Sequence, residues 1–257
     1  QLSQRYRQPN YEPGFQNTTE VNAYAAARMP ATVAAILRCL QELPADFSPS
    51  TLVDLGAGTG AASLAALQYF SSLKSLTLVE QDSRALNYAK EQLQPLLAAS
   101  QEITFEKANL HQYPFDKSAD LVVLSYVLNE LPSPEQQTIL QKLIATNSRF
   151  ILILMPGTPV CFQQLLSLRQ VAIEAGLFIA APCPHQQACP MAATPNDWCH
   201  FKVRLSRTPA HRVFKQAMLN FEDEKFCYLL ISKDPPAAVE SRIVKNPFHR
   251  SGHSLFD

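Results

Sequence analysis

The stretch Thr51-Leu52-Val53-Asp54-Leu55-Gly56-Ala57-Gly58-Thr59-Gly60 constrains this chain more than any other. A short apolar run ends in three glycines at alternate positions, and Ala61–Tyr69 continues at helical spacing. A strand that turns sharply into a helix favours glycine, which turns tightly and lets the backbone approach a ligand closely. The alternation then repeats. Ser75–Glu80 reads as a strand, Ser83–Leu97 as a helix, and Ile103–Ala108 and Ala119–Tyr126 as strands. Pro134–Ala145 reads as a helix with proline in its first turn, Phe150–Met155 as a strand, and Cys161–Ala175 as a helix closed by Gly176. Strands alternating with helices predict a parallel sheet in an α/β fold.

The flanks differ from this core. Residues 1–19 are polar, are interrupted by Pro9, Pro13 and Gly14, and read as an irregular arm. Glu20–Leu43 reads as a helix or helix pair broken near Pro30, with Val33, Ile36, Leu37 and Leu40 at helical spacing. Residues 177–225 are rich in Pro, Cys, His and Gln and read as an insertion, with a short strand at Val203–Leu205. Phe226–Ser232 reads as a late strand, and 234–257 as a basic tail containing Arg242–Arg250. The expected organisation is therefore an N-terminal arm and helical region (1–50), a Rossmann-like core (51–176), a Cys-rich insertion (177–225), and a last strand with its tail (226–257).

Composition narrows the function classes. Hydrophobic residues make up 47% of the 257, ample for a buried core, and the pattern is not that of a disordered chain. No apolar run reaches the roughly 18 residues that would cross a bilayer, so no membrane span is expected. Net charge is zero but uneven: residues 1–198 carry 12 Lys and Arg against 16 Asp and Glu, whereas 199–257 carry 10 against 6. Lys202, Arg204, Arg207, Arg212 and Lys215 are therefore candidates to face phosphates, with a solvated surface as the competing reading.

The glycine spacing is G-x-G-x-G, not the G-x-G-x-x-G of dinucleotide enzymes. With Asp54 at the strand end, it is more typical of S-adenosylmethionine enzymes, where the loop packs against the amino-acid part of the ligand. Glu80 ends the second strand, 20 residues after Gly60, where a carboxylate can accept from both ribose hydroxyls. Asn109 follows the third strand, where the adenine edge would lie. Ser125 to Glu130 end the fourth strand, at the crevice where open α/β sheets bind ligands. Asp54, Gly56, Ala57, Gly58, Gly60, Glu80, Asn109 and Ser125 are thus expected to hold S-adenosylmethionine, against a glycine turn without ligand. Methyl-transfer chemistry is less legible. In place of the Asn/Asp-Pro-Pro-aromatic tetrad of amino-methylating enzymes the chain has Asn129-Glu130-Leu131-Pro132. Asn129 and Glu130 are suited to orient a substrate, or Glu130 to serve a helix start; no residue is assigned as general base.

Four of the six cysteines fall in the last third of the chain, spaced C-x5-C-x9-C-x27-C at Cys183, Cys189, Cys199 and Cys227. Thiolates suit zinc, copper(I) or iron–sulfur centres. The spacing is neither the ferredoxin run nor a zinc ribbon, so it names no metal; buried unliganded thiols are the alternative. So few cysteines in so long a chain fit a reducing compartment rather than a disulfide framework.

Several segments resemble a known family: Ala23-Tyr24-Ala25-Ala26-Ala27-Arg28-Met29-Pro30-Ala31-Thr32, the glycine loop, Ser125 to Leu131, Pro156-Gly157-Thr158-Pro159, Ala181-Pro182-Cys183-Pro184-His185, Cys189-Pro190, Asp197-Trp198-Cys199-His200-Phe201 and Glu222-Asp223-Glu224-Lys225-Phe226. They look like the methyltransferase-like family associated with the small ribosomal subunit in bacteria and mitochondria, over about residues 20–253. The resemblance implies a class I S-adenosylmethionine-dependent methyltransferase (Rossmann-like) fold, with an N-terminal helical region and a Cys-rich insertion before the last strand. It implies a role in assembly of the small subunit or maturation of its rRNA, in the bacterial cytoplasm or the mitochondrial matrix. It also implies a 4Fe–4S cluster on four cysteines, three of them Cys183, Cys189 and Cys199. Two departures stand out. The family usually has Glu where Met155 precedes Pro156-Gly157. Its fourth cysteine follows a Gly-His motif, but after Gly252-His253 this chain has none. Cys227 is taken as the substitute ligand, with Cys39 and Cys161 read as core. Zinc on three cysteines and His185 or His200 is the alternative.

Overall fold

A computed structural model describes residues 14–194, 196–215 and 217–237, together with short strands at 248–250 and 253–255. Helix α1 (Thr18–Leu40) begins at Asn17, whose Oδ1 accepts from the Glu20 amide (3.0 Å), while Glu20 Oε2 accepts from the Gln16 amide (2.9 Å). The first bond satisfies an amide that has no partner within the helix, and the second fixes the chain just before it. The expected break at Pro30 does not occur: α1 runs through it as one helix. The proline removes one backbone bond, but Val21, Ala25 and Met29 before it and Ala31, Ala35 and Ile36 after it are buried in one stripe. That packing outweighs the local loss.

Strands β1 (Thr51–Leu55), β2 (Ser75–Glu80), β3 (Glu102–Lys107), β4 (Leu121–Ser125) and β5 (Phe150–Pro156) pair in parallel. They are linked by α2 (Ala61–Tyr69), α3 (Ser83–Leu93) and α4 (Ser133–Ala145), and β5 is followed by α5 (Pro159–Glu174). Then come β6 (Phe178–Ala181), β7 (Phe201–Ser206), α6 (Pro209–Lys215) and β8 (Phe221–Ser232). The strand order is β3-β2-β1-β4-β5-β8-β6, with β7 paired on β8, and β8 runs antiparallel to β5, β6 and β7. Among the described residues, strands β9 (Phe248–Arg250) and β10 (His253–Leu255) pair with each other. Most of the basic tail, Arg242 included, and most of the N-terminal arm lie outside the described residues.

Side chains alternate across the sheet, as strand geometry requires. Leu152 and Leu154 of β5, with Phe226, Tyr228 and Leu230 of β8, face a core that includes residues of α1, α2 and α3. Ile151, Ile153 and Met155, with Cys227, Leu229 and Ile231, face a second core that includes residues of α4 and α5. Central strands buried on both faces explain the continuous apolar runs in the sequence. The segment read as an insertion contributes more order than expected. It supplies β6 and β7, and β8 begins at Phe221, five residues ahead of the expected Phe226. Charged Glu222, Asp223, Glu224 and Lys225 hide this part of the strand from an apolar-pattern reading.

Asp120 ties β4 to β1. Its Oδ2 accepts from the amides of Ser50 (2.7 Å) and Thr51 (3.0 Å) and from Thr51 Oγ1 (3.1 Å), and Thr51 Oγ1 accepts from the Asp120 amide (2.9 Å). Asp120→Ala strands two amides at the start of β1, and is expected to cost about 1–3 kcal/mol, read as a lower urea midpoint with an unchanged slope.

Candidate functional site

The C-terminal ends of β1, β2, β3 and β4 open onto a cavity of about 260 Å³. Gly56, Gly58 and Gly60 all have positive φ (70°, 53° and 83°). At Gly56 the need is also steric, since a Cβ would lie 2.4 Å from Val127 Cγ2. At Gly58 a Cβ would meet nothing within 4 Å, because this turn faces the open cavity. The amides of Gly56 and Ala57 donate to the Val79 carbonyl (2.8 and 3.0 Å), which locks the loop onto β2.

The carboxylates hold this shape. Glu80 Oε2 accepts from the Gly58 amide and Oε1 from the Asp82 amide, each at 2.8 Å. Burial raises its pKa and these bonds oppose the rise. Asp54 is almost fully buried. Its Oδ2 accepts from the Ser63 amide (3.1 Å) and hydroxyl (2.8 Å), so the side chain braces the first turn of α2. Burial pushes its carboxyl up to about 6, against the pull of Ser63. Glu130 faces the cavity from the segment after β4; burial and then the charge of Glu80 push it up to about 7. Because Glu130 is exposed at the cavity mouth, solvent moderates that shift. For both acids the folded state holds the proton more tightly than the unfolded chain. Their ionisation therefore lowers stability as pH rises, from about 4 to 6 for Asp54 and from about 4.5 to 7 for Glu130.

The structure brings together the residues expected from sequence: Asp54, Gly56, Ala57, Gly58, Glu80, Asn109 and Ser125 all line the cavity. Gly60 does not line it, and closes the turn into α2 instead, its amide donating to the Ala57 carbonyl (2.8 Å). Asn109 Nδ2 donates to Gln81 Oε1 (2.8 Å). The Ser125 hydroxyl is buried without a hydrogen-bond partner, a group that would gain from a polar ligand. Sequence reasoning assigned no role to Tyr24, Arg28, Tyr126 or Glu224. Tyr24 and Tyr126 line the cavity from α1 and from the end of β4. Behind them Glu224, only 7% exposed, accepts two bonds from Arg28 (2.9 and 3.1 Å) and one from the Tyr126 hydroxyl (3.1 Å). The words containing Arg28 and Glu224 stood out in the sequence, but pairing residues so distant along the chain takes the fold.

The four candidate cysteines meet around a second cavity, of about 50 Å³, between α5, β6 and β8. Cys183, Cys189, Cys199 and Cys227 line it with His185 and Arg169 amid apolar side chains. Arg169 Nη2 donates to the carbonyls of His185 (2.6 Å) and Gln187 (2.8 Å), both in the loop between two of the cysteines. Cys227 donates to the Pro156 carbonyl (3.2 Å), and burial, then the nearby Cys161 and Cys199, push its thiol well up. The donor set is that of a soft metal. Even so, among the described residues no three His, Cys, Asp or Glu side chains approach closely enough to hold an ion. The volume suits a single ion or a few waters. His200 does not line this cavity; it stacks on Trp198. Cys39 and Cys161 are buried in the two cores, as expected.

The proposed phosphate-facing set is corrected. Arg204 is paired with Asp223 (2.7 Å), Arg207 and Lys215 with Glu222 (3.2 and 2.6 Å), and Arg212 donates to Asn220 Oδ1 (3.1 Å). Strand β8 supplies the acids that neutralise Arg204, Arg207 and Lys215, a pairing that the β7–β8 register reveals, whereas the partner of Arg212 is a neutral amide. Glu224→Ala leaves Arg28 and Tyr126 without their shared acceptor. It is expected to destabilise the protein by about 2 kcal/mol, less than a fully buried pair because Arg28 is partly exposed. Urea unfolding measures the loss.

Comparison with known proteins agrees with this geometry. The chain is 26% identical over 253 residues to the ribosome assembly protein METTL17, mitochondrial, of Homo sapiens. That alignment covers 90% of this chain and 54% of the relative, so the chain spans about half the length of the curated protein it matches. The structure of magnesium protoporphyrin IX methyltransferase (ChlM) from Synechocystis PCC 6803 with bound SAH is similar with a TM-score of 0.51 at 14% identity, over 91% of this chain and 94% of that one. The fold is that of the class I S-adenosylmethionine-dependent methyltransferases. Residues 18–257 match the family described as mitochondrial small ribosomal subunit Rsm22, and the chain belongs to that family.

Proposed function

We propose that this protein binds S-adenosylmethionine in the glycine-loop cavity and acts in assembly of the small ribosomal subunit, with its rRNA as partner. The observation that carries the reading is the cavity itself: the left-handed glycines Gly56 and Gly58, the buried Ser125 hydroxyl and the carboxylates of Glu80 and Glu130 at the C-terminal edge of a methyltransferase-type sheet. Glu80 would exchange its bond to Gly58 for the ribose hydroxyls, Asn109 would lie at the adenine edge, and Asp54 would hold the loop from behind. The name of the human relative supports the ribosomal role, and the mitochondrial matrix or the bacterial cytoplasm is its proposed place. Residues 51–176 form the ligand-binding unit and 177–225 the metal-binding one.

Whether methyl transfer accompanies binding divides two readings. Asn129-Glu130-Leu131-Pro132 stands after the fourth strand in place of the amide-polarising tetrad, which favours an assembly factor that uses S-adenosylmethionine as a structural ligand. Methylation of small-subunit rRNA is the alternative, and transfer of a radiolabelled methyl group to purified small-subunit RNA decides between them.

Glu130 provides a test of the ligand. A sulfonium cation favours the ionised carboxylate, so binding below about pH 7 releases a proton. S-adenosylmethionine affinity should then rise with pH and level off above that value. Glu130→Gln should flatten the profile, and neutral S-adenosylhomocysteine should show little pH dependence. Calorimetry across pH reads all three, and intact protein that binds no S-adenosylmethionine would sink the proposal.

Cys183, Cys189, Cys199 and Cys227 are proposed to hold a 4Fe–4S cluster, supported by their convergence on one cavity; zinc, with four cysteines or with His185 in place of one, is the alternative. Bound metal would supply folding free energy to a segment with little apolar core of its own. Anaerobic purification with iron, sulfide and zinc analysis is expected to find iron and sulfide, and Cys199→Ser to lower both while leaving S-adenosylmethionine binding intact. Stoichiometric zinc alone would replace the cluster.

A further inference from the structure

One face of the β7–β8 pair carries charge that the ladder leaves unbalanced. Along β7 the side chains alternate: Phe201, Val203 and Leu205 are half-buried, and Lys202, Arg204 and Ser206 are exposed. In register, Arg204 stands opposite Asp223 and Lys202 opposite Lys225. The first couple is neutralised, with Arg204 making two bonds of 2.7 Å to Asp223. The second is two exposed lysines face to face, and neither has an ion pair within 4.0 Å among the described residues. Like charges directly opposite one another on adjacent strands are destabilising. Glu222 and Glu224 give no relief, because their side chains meet Arg28 on the opposite face.

An aromatic pair lies at the same end of the ladder. Trp198 and His200 stack with ring centroids 5.2 Å apart and planes 29° apart. Trp198 Nε1 donates to the Gly157 carbonyl (3.0 Å), and the Gly157 amide donates to the carbonyl of Lys225 itself (3.0 Å). Two bonds therefore hold the indole against the strand that carries one of the lysines. The neighbouring carboxylate of Asp197 accepts from the Trp198 amide (2.8 Å). Two cations without an ion pair of their own, sharing only the field of Asp223 with Arg204 and set at the same ladder end as a fixed aromatic stack, match a chain of phosphates that also presents flat bases.

The geometry points to a binding surface for single-stranded RNA, with Lys202 and Lys225 on successive phosphates and the Trp198–His200 stack under a base. It rests on the ribosomal reading above and deepens it, replacing the broader basic surface read from sequence with one of its members, Lys202, and a lysine of β8. An unpaired RNA segment supplies both chemistries at once: backbone charge and a base free to stack.

Trp198 is the sole tryptophan of the chain, so its fluorescence reports on this surface without a label. Titration of the full chain with oligoadenylate RNA is expected to quench it, with affinity falling as salt rises. Lys202→Ala and Lys225→Ala should each flatten the slope of log affinity against log salt by about 0.7. Lys215→Ala, whose lysine already pairs with Glu222, should leave the slope unchanged. The double variant Lys202→Glu/Lys225→Glu should abolish quenching while S-adenosylmethionine binding persists. Trp198→Leu should weaken RNA binding about tenfold, read by anisotropy of labelled RNA. Polyphosphate should bind through the lysines without quenching. Equal quenching by polyphosphate would remove the base from the proposal. RNA binding that ignores both lysines and Trp198 would place the contact elsewhere and leave the RNA-partner reading standing. No RNA binding at all would overturn both, without touching the S-adenosylmethionine cavity.

Discussion

Strand β8 is the constraint on which both cavities depend. Its C-terminal half is sandwiched between β5 and β6, and its N-terminal half carries β7. Because side chains alternate along a strand, one ladder serves three surfaces. Glu224 turns inward to Arg28 and Tyr126 behind the glycine-loop cavity, Lys225 turns out to solvent, and Cys227 turns to the thiol cavity. A one-residue slip would move every one of these groups to the wrong face. Gly157 enforces the register from the neighbouring strand end, since a Cβ there would lie 2.8 Å from the Phe226 nitrogen.

The electrostatics of the larger cavity follow from what surrounds it. Asp54, Glu80 and Glu130 each raise the cost of ionising another, and Arg28 is already committed to Glu224. A cavity with excess negative charge favours a cationic guest over a neutral one of similar shape. The buried Asp54 charge is tolerated because Ser63 gives it two hydrogen bonds, and the same bonds fix the helix start against which a ligand would rest.

The thiol cavity has a different physical logic. Its walls are largely apolar, which favours the protonated Cys227 thiol over the thiolate. Arg169 braces the Cys183–Cys189 loop through main-chain carbonyls rather than through sulfur, which leaves the thiols out of this contact. Both features suit the soft-ligand site proposed for these cysteines.

The sequence alone determined the architecture of the core, because buried parallel strands and glycine turns impose local patterns of apolar runs and breaks. Gly56 and Glu80 were legible for the same reason: each is placed by its own strand end. Local pattern failed where long-range packing outweighed it. Helix α1 runs through Pro30 because its buried stripe continues on both sides, and β8 starts at Phe221 because its charged residues find partners on β7, α1 and α6. Only the tertiary structure decided which of the basic residues are neutralised, that Glu224 joins Arg28 to Tyr126, and that Cys227 lines one cavity with three cysteines far from it in sequence. These outcomes depend on strand register and on distances between residues remote in the chain, and neither is encoded in the spacing of a single segment.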